Sequence, residues 1–453
     1  TQKNLIGHAD GGNSTINNSG LVTFAGQASA AGSTIANNAD GVVNIADVSG
    51  STSVGSLSGA GNVVLGAAQL IEGALNLNDS ISGIISGVNG SLAKTGTGTL
   101  TLTGDNIYTG ATGVQQGVLL VNGNQQAATG AVSVASGATL GGNGTLGGNV
   151  TVADNGHLAA GSDLNSVGVL TTGGLTLNQN SQIDFQFGQA FTAGGSLNDL
   201  INVNGDLNLN GKLNIAQTPG GTFDVGIYRV INYTGALTNN TLDIGTAPAA
   251  ADDMYVQTSV ANQVNLVNRT GVILRFWDGA DSANKNDSQI NGGDGTWQNS
   301  SGNDNWSTDV TNPDGRFNAP FSDNSFAIFG GEKGNVTVDN SLGAVTISGA
   351  QFAADGYVIN DGVITTSTAD TQIRVGDGTA EGANYVATIS SQIAGSGGID
   401  KTDAGTLVLN GANTYSGGTQ ISAGTLQVSA DNNLGQSGTG LGFNGGTLRY
   451  GNA

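Results

Sequence analysis

Apolar side chains in this chain alternate with polar ones over only three to five residues at a time, and then Gly, Asn or Asp interrupts the pattern. The runs recur throughout: Leu75/Leu77, Leu100/Leu102, Val150/Val152, Leu175/Leu177, Ile183/Phe185/Phe187, Ile201/Val203, Leu207/Leu209, Leu213/Ile215 and Leu407/Leu409. Alternation with period two sends one set of side chains inward and the other outward, the mark of a strand with one buried face. The interrupting residues are those that tolerate turns with positive φ. Long segments with helical period are missing, and Glu and Lys are too scarce to build amphipathic helices. The chain therefore reads as all-β, made of many short strands with a turn after each.

The strands repeat at a fixed distance. Gly20, Val22 and Phe24 correspond to Gly41, Val43 and Ile45, an offset of 21, and STINN at Ser14 returns as STIANN at Ser33, an offset of 19. A period near 20 with short strands predicts a right-handed parallel β-helix (β-solenoid), in which one coil cannot bury its inner face alone and stacking supplies the core. At about 20–25 residues and ~4.8 Å per coil, the chain makes roughly 20 coils. An array of β-sandwiches is the competing fold; it needs hairpins and more aromatic residues than the 5% present.

A second repetition operates at longer range. KTGTGTLTLTGDNIYTGATGVQQGVLLV (Lys94–Val121) returns as KTDAGTLVLNGANTYSGGTQISAGTLQV (Lys401–Val428), identical at 14 of 28 positions. Gly98/Gly405, Gly104/Gly411, Tyr108/Tyr415 and Gly117/Gly424 are among them. Turns and alternating apolar residues repeat, so the duplication is architectural. Three zones follow from these landmarks: 1–140, a first array with the first copy; 141–268, a continued array; and 269–453, a second unit with the second copy.

Composition narrows the function. Gly supplies 77 of 453 residues without the every-third spacing of collagen. Charged residues are 10%, with 33 acidic against 12 basic, so the net charge of −21 argues against nucleic acid, whose phosphates call for Lys and Arg patches. Cysteine is absent, which removes disulfides, zinc–thiolate sites and thiol catalysis together. No stretch of about 18 apolar residues offers a transmembrane helix. The pattern is still in progress at LRYGNA, and the chain is expected to be a piece of a longer protein.

SGVNGSLAKTGTGTLTLTGDNIYTGATGVQQGVLLV and AGSGGIDKTDAGTLVLNGANTYSGGTQISAGTLQV resemble the autotransporter-associated β-strand repeat of passenger domains in type V secreted proteins. TLGGNVTVADNGHLAAGSDLNSVGVLTTGGLTLN is similar to passenger sequence, with Ala160 where the family commonly has Pro, and WDGADSANKNDSQINGGDGTWQNSSGNDNW resembles the opening of a further passenger unit. The resemblance implies a β-helix at the bacterial cell surface, outer-membrane-anchored or secreted, and a translocator barrel in cis that these 453 residues do not include.

Candidate chemistry is sparse. GxSxG is missing. His8 and His157 stand 149 residues apart, so a Ser–His–Asp set is not expected. Carboxylate pairs on neighbouring coils can serve a glycanase, but no sequence cluster singles one out. Asp278, Asp281, Asp287 and Asp294 are oxygen-rich loop residues that match neither an EF-hand nor an RTX repeat; Asx turns account for them as well. The most distinctive local feature is the least regular region, 277–325, which holds Trp277, Trp297 and Trp306. These residues with Asp278 are the candidate ligand-binding set: exposed indoles stack on sugars and carboxylates accept from hydroxyls. Packing an insertion or capping a hydrophobic end is the alternative. No catalytic set, metal or cofactor is expected. The resulting expectation is a non-enzymatic adhesin whose outward Asn, Thr and Ser ladders serve aggregation and biofilm formation between neighbouring cells, or attachment to host matrix or glycans. A stalk presenting a tip outside this stretch is the second reading, a carbohydrate-active β-helix the third.

Overall fold

The computed structural model describes residues 3–7, 12–250, 253–307 and 315–451. His8 lies outside them. Two compact units emerge: residues 1–189, 194–223 and 230–248 form the first, and 190–193, 224–229 and 249–453 the second.

Each unit is a parallel β-solenoid. In the first, one sheet stacks eleven strands from Thr15–Asn18 to Leu237–Asn239, and a second stacks eight from Asp79–Ile81 to Asp243–Ile244. Shorter sheets close the coil: one runs from Lys3–Gly7 to Ile85–Ser86, and another carries Asn124–Gln125, Thr145–Leu146, Val169–Thr172 and Leu200–Val203. The repeat offsets are coil registers. Ile16 pairs with Ile35 and Val22 with Val43, in parallel. In the second unit an eleven-stranded and a seven-stranded sheet stack likewise. Antiparallel pairing among its described residues joins Met254–Gln257 to Gln263–Asn268, and Trp306–Ser307 to both Leu274–Trp277 and Asn318–Ala319.

Register converts sequence period into columns of like residues. Leu100, Leu119, Leu140, Leu158, Ile183 and Leu213 stack in successive coils, each fully buried. Burying one such side chain stabilises by about 1.5–3 kcal/mol, and a column of them is the core of the first unit. The expected 20–25 residues per coil describe its early coils only. Thr112 pairs with Val132, 20 residues on, but Leu175 pairs with Leu207, 32 residues on. Loops account for most of the difference, since the paired strands Leu175–Leu177 and Leu207–Leu209 are equally long.

One expected strand is a turn. Leu75 and Leu77 flank Asn76, whose φ of 58° is left-handed, and both leucines are exposed. Alternation without β-branched neighbours, next to Asn and Gly, was a turn signal here. Elsewhere glycine is required by close approach: a Cβ on Gly104 would lie 2.3 Å from the Gly83 carbonyl oxygen one coil below, and one on Gly411 2.3 Å from that of Ser391.

The column predicts a local cost. Leu158→Ala removes one interior rung and should lower the unfolding free energy of the first unit by about 2–5 kcal/mol. Urea denaturation of the variant against the parent measures it.

Candidate functional site

The tryptophans are placed by three strand ends. Trp277 closes Leu274–Trp277, Trp297 closes Gly295–Trp297, and Trp306 opens Trp306–Ser307 opposite Trp277. The structure brings all three together: ring centroids are 5.0 Å apart for Trp277 and Trp306 and 5.1 Å for Trp297 and Trp306, with Phe321 and Phe329 packed against them. All three are at most 1% exposed. Sugar stacking needs a bare ring face, and these indoles present none; packing determines their positions, the alternative weighed from the sequence. The Trp277 indole NH donates to the Gly293 carbonyl at 2.8 Å.

Asp278 lies beside them, buried, with Oδ1 accepting from the Asn291 backbone NH and Oδ2 from the Asn318 side-chain amide, both at 2.7 Å. Burial pushes its carboxyl up to about 6, against the pull of those two hydrogen bonds. Its oxygens tie loop to loop. Asp294 does the same, accepting from the Asn335 NH, whereas Asp281 and Asp287 close local turns by accepting from the NH two residues on, of Ala283 and Gln289. Among the described residues no three His, Asp or Glu side chains are grouped as a metal site.

What the 28-residue copies encode is a pair of buried lysines. Lys94 and Lys401 are fully buried at equivalent positions. Lys94 Nζ donates to the carbonyls of Thr95, Gly96 and, one coil on, Gln116. Lys401 Nζ donates to those of Thr402, Asp403 and Ala423 at 2.8, 2.8 and 3.3 Å. An ammonium in a core is costly unless its protons are bonded, and here three turn carbonyls receive them, fastening two coils at one corner. Burial lowers both lysines, Lys401 to about 8. Tyr108 and Tyr415 repeat as exactingly: each is buried, with its hydroxyl 2.6 Å from the Oγ1 of Thr112 or Thr419. Asn106 and Asn413 accept the backbone NH of Ile85 and Ile393, both at 2.7 Å. Sequence reading passed over the lysines; a basic residue kept at the same repeat position in a base-poor chain was the available signal.

Below Lys94 in register sits Glu72, and Asp79 lies in the neighbouring sheet. Burial, then the Asp79 carboxyl, pushes Glu72 up to about 9. The Asp79 Oδ1 accepts from the Ser56 hydroxyl at 2.7 Å. These carboxyls are 0% and 6% exposed, so the pair faces the core and not a groove.

Outward columns are the accessible surface. On the eleven-stranded sheet Ser133, Thr151, Thr176, Asn208 and Thr238 stack in register. Another column runs Thr145, Thr171, Asn202, Asn232, with the Asn232 amide donating to the Asn202 Oδ1 at 3.0 Å. A third, on the eight-stranded sheet, runs Thr99, Val118, Thr139, His157, Gln182, Lys212, Asp243. Beside it Asp184 pairs with Asn214. His157 Nδ1 is 2.6 Å from Asp184 Oδ2, and the Asn214 amide donates to Asp184 Oδ1 and Gln182 Oε1.

A family model described as the Passenger-associated-transport-repeat matches residues 92–121 and 399–428, the two lysine-bearing copies. Over 408 residues the chain is 46% identical to the Adhesin BmaC autotransporter of Brucella suis biovar 1 (strain 1330), a stretch that is 87% of this chain. This chain is autotransporter passenger sequence. It spans 12% of that relative's length. The passenger belongs at the bacterial cell surface, anchored to the outer membrane or released.

The buried acids set a pH dependence. Glu72 and Asp199 are held above their ordinary values of 4.5 and 3.8, at about 9 and about 7, by burial. A raised acid contributes stability that is complete below its unfolded pKa and lost as pH rises through its folded one, at up to about 1.4 kcal/mol per pH unit per group. The first unit should therefore be more stable at pH 5 than at pH 8. Thermal melts should show the difference, and Glu72→Gln should reduce it.

Proposed function

We propose that this stretch is a non-enzymatic adhesive segment of a cell-surface passenger, acting in cell aggregation and biofilm formation or in attachment to host matrix or glycans. The observation that carries the reading is the 46% identity, over 87% of the chain, to a protein named an adhesin. The outward columns supply a means. Ser, Thr and Asn repeat at coil spacing, so each exposed column offers a row of hydroxyls and amides about 4.8 Å apart. Single contacts of this kind are weak, and many passengers on two surfaces sum them by multivalency. A translocator barrel in cis, outside these residues, would anchor the segment. Because the chain is a small part of that relative, a stalk that presents a tip elsewhere is the second reading.

Cells displaying residues 1–453 on a heterologous translocator should settle faster than cells carrying the translocator alone, and only when both partners carry the chain if the contact is homotypic. Normal settling together with retention on immobilised matrix proteins or glycans would assign the chain to host attachment. Neither behaviour would leave the stalk.

A further inference from the structure

In the first unit the outer surface is acidic, with Asp40, Asp47, Asp105, Asp154, Asp163, Asp206 and Asp243 all exposed. Among the described side chains of that unit the basic residues are two, and Lys94 is buried. Lys212 is thus the one exposed cation among these described side chains, and among the described residues of the unit it makes no ion pair. Its position in the fold is specific. Four successive coils of the eight-stranded sheet present His157, then Gln182 with Asp184, then Lys212 with Asn214, then Asp243. The ring of His157 and the amide of Asn214 fix Asp184 in place.

That order is complementary to its own reverse. We propose that this face is a homotypic docking surface, on which a second copy of the chain sits antiparallel about a two-fold axis lying along the strands between the Gln182 and Lys212 coils. Such an axis preserves each column and reverses the order of coils. Lys212 of each copy then meets Gln182 of the other, with Asp184 two residues further along the strand, a lateral offset of about 7 Å that a lysine stem can lean across. His157 of each copy meets Asp243 of the other. The contact is isologous, the same patch on both molecules. Charge selects this face: two surfaces of like sign repel, and among the described side chains of the first unit only Lys212 offers an exposed cation to the carboxylates of a partner. Antiparallel approach is also the geometry available to passengers projecting from two facing cells.

The inference rests on the adhesive reading, with a second copy as the partner, and its test separates the two. Sedimentation velocity of the purified chain at low salt should show concentration-dependent dimers that dissociate as salt screens the pairs. Lys212→Asp and Asp184→Lys should each weaken self-association at least tenfold. An equimolar mixture of the two should restore it to within about twofold of the parent, because each new charge then faces an opposite one. Lys212 is exposed, so Lys212→Asp should melt with the parent and stands alone as the decisive variant if Asp184→Lys, which loses the His157 contact, is unstable. A chain that stays monomeric at low salt, or a Lys212→Asp variant that dimerises like the parent, overturns the face. Displayed on cells, unchanged settling by Lys212→Asp overturns the face and leaves adhesion standing. Dimers in solution that depend on Lys212, without settling of cells, leave the face standing and remove adhesion between cells.

Discussion

In-register stacking of parallel strands is the constraint on which the rest of this structure depends. A strand in one coil is hydrogen-bonded to the strand one coil away, so in the first unit residues 18 to 32 positions apart in sequence become neighbours at strand spacing. Every choice at one position is then tested against the same position above and below. Inward, the test favours a column such as Leu100 to Leu213, where like packs on like. Outward, it favours Ser, Thr and Asn, which share hydrogen bonds along the column without the repulsion that stacked like charges bring. The scarcity of charge in the chain is a consequence of that geometry as much as of function.

The same stacking makes polar groups in the interior expensive, and the chain uses them at corners. Lys94 and Lys401 reach turn carbonyls that an apolar side chain would leave unbonded, and in each case one of the three carbonyls belongs to the next coil. The cage therefore depends on two coils being in place at once. Asn18 and Asn37 act in kind near the start of the first unit, where the Asn18 amide donates to Asn37 Oδ1 at 2.8 Å and the Asn37 amide to the Asn62 carbonyl. Replacing such groups with apolar ones would strand the backbone acceptors they serve. Glu72 follows a different logic: buried beside the Asp79 carboxyl, it is tolerable in the core while it holds its own proton, which is why the stability of the first unit is tied to pH.

The parts of the molecule that repeat were legible in the sequence, and the parts that occur once were not. The offsets of 19 and 21 near the N-terminus became the pairings of Ile16 with Ile35 and Val22 with Val43, because a repeated residue in a solenoid meets its own counterpart. Leu75 and Leu77 have no such counterpart, and an Asn in left-handed conformation turned their alternation into a corner. The tryptophans were open to a binding reading, beside that of packing or capping, because aromatic residues are rare in this chain and polar residues surround them. Burial is a property of where strands end in space, and sequence spacing over 277–306 carries no period from which to infer it. Lys212 was invisible for the complementary reason: its meaning comes from His157, Asp184 and Asp243, which lie 28 to 55 positions away and are brought to one face only by coils of unequal length.

Unequal coil length carries a further consequence for how such a surface arises. Between Leu158 and Ile183, and again between Ile183 and Leu213, the paired strands keep their register while 25 and 30 residues pass. Loops absorb the excess, and the columns continue through it. Insertions and deletions in the loops thus leave both the core and the outward ladder intact. A substitution on the ladder, in turn, touches no interior contact. Core and surface can then change independently: the inward columns hold the coil, and the outward ones are free to carry whatever charge order a partner selects. A face with one cation in an acidic field is the kind of pattern that this independence permits.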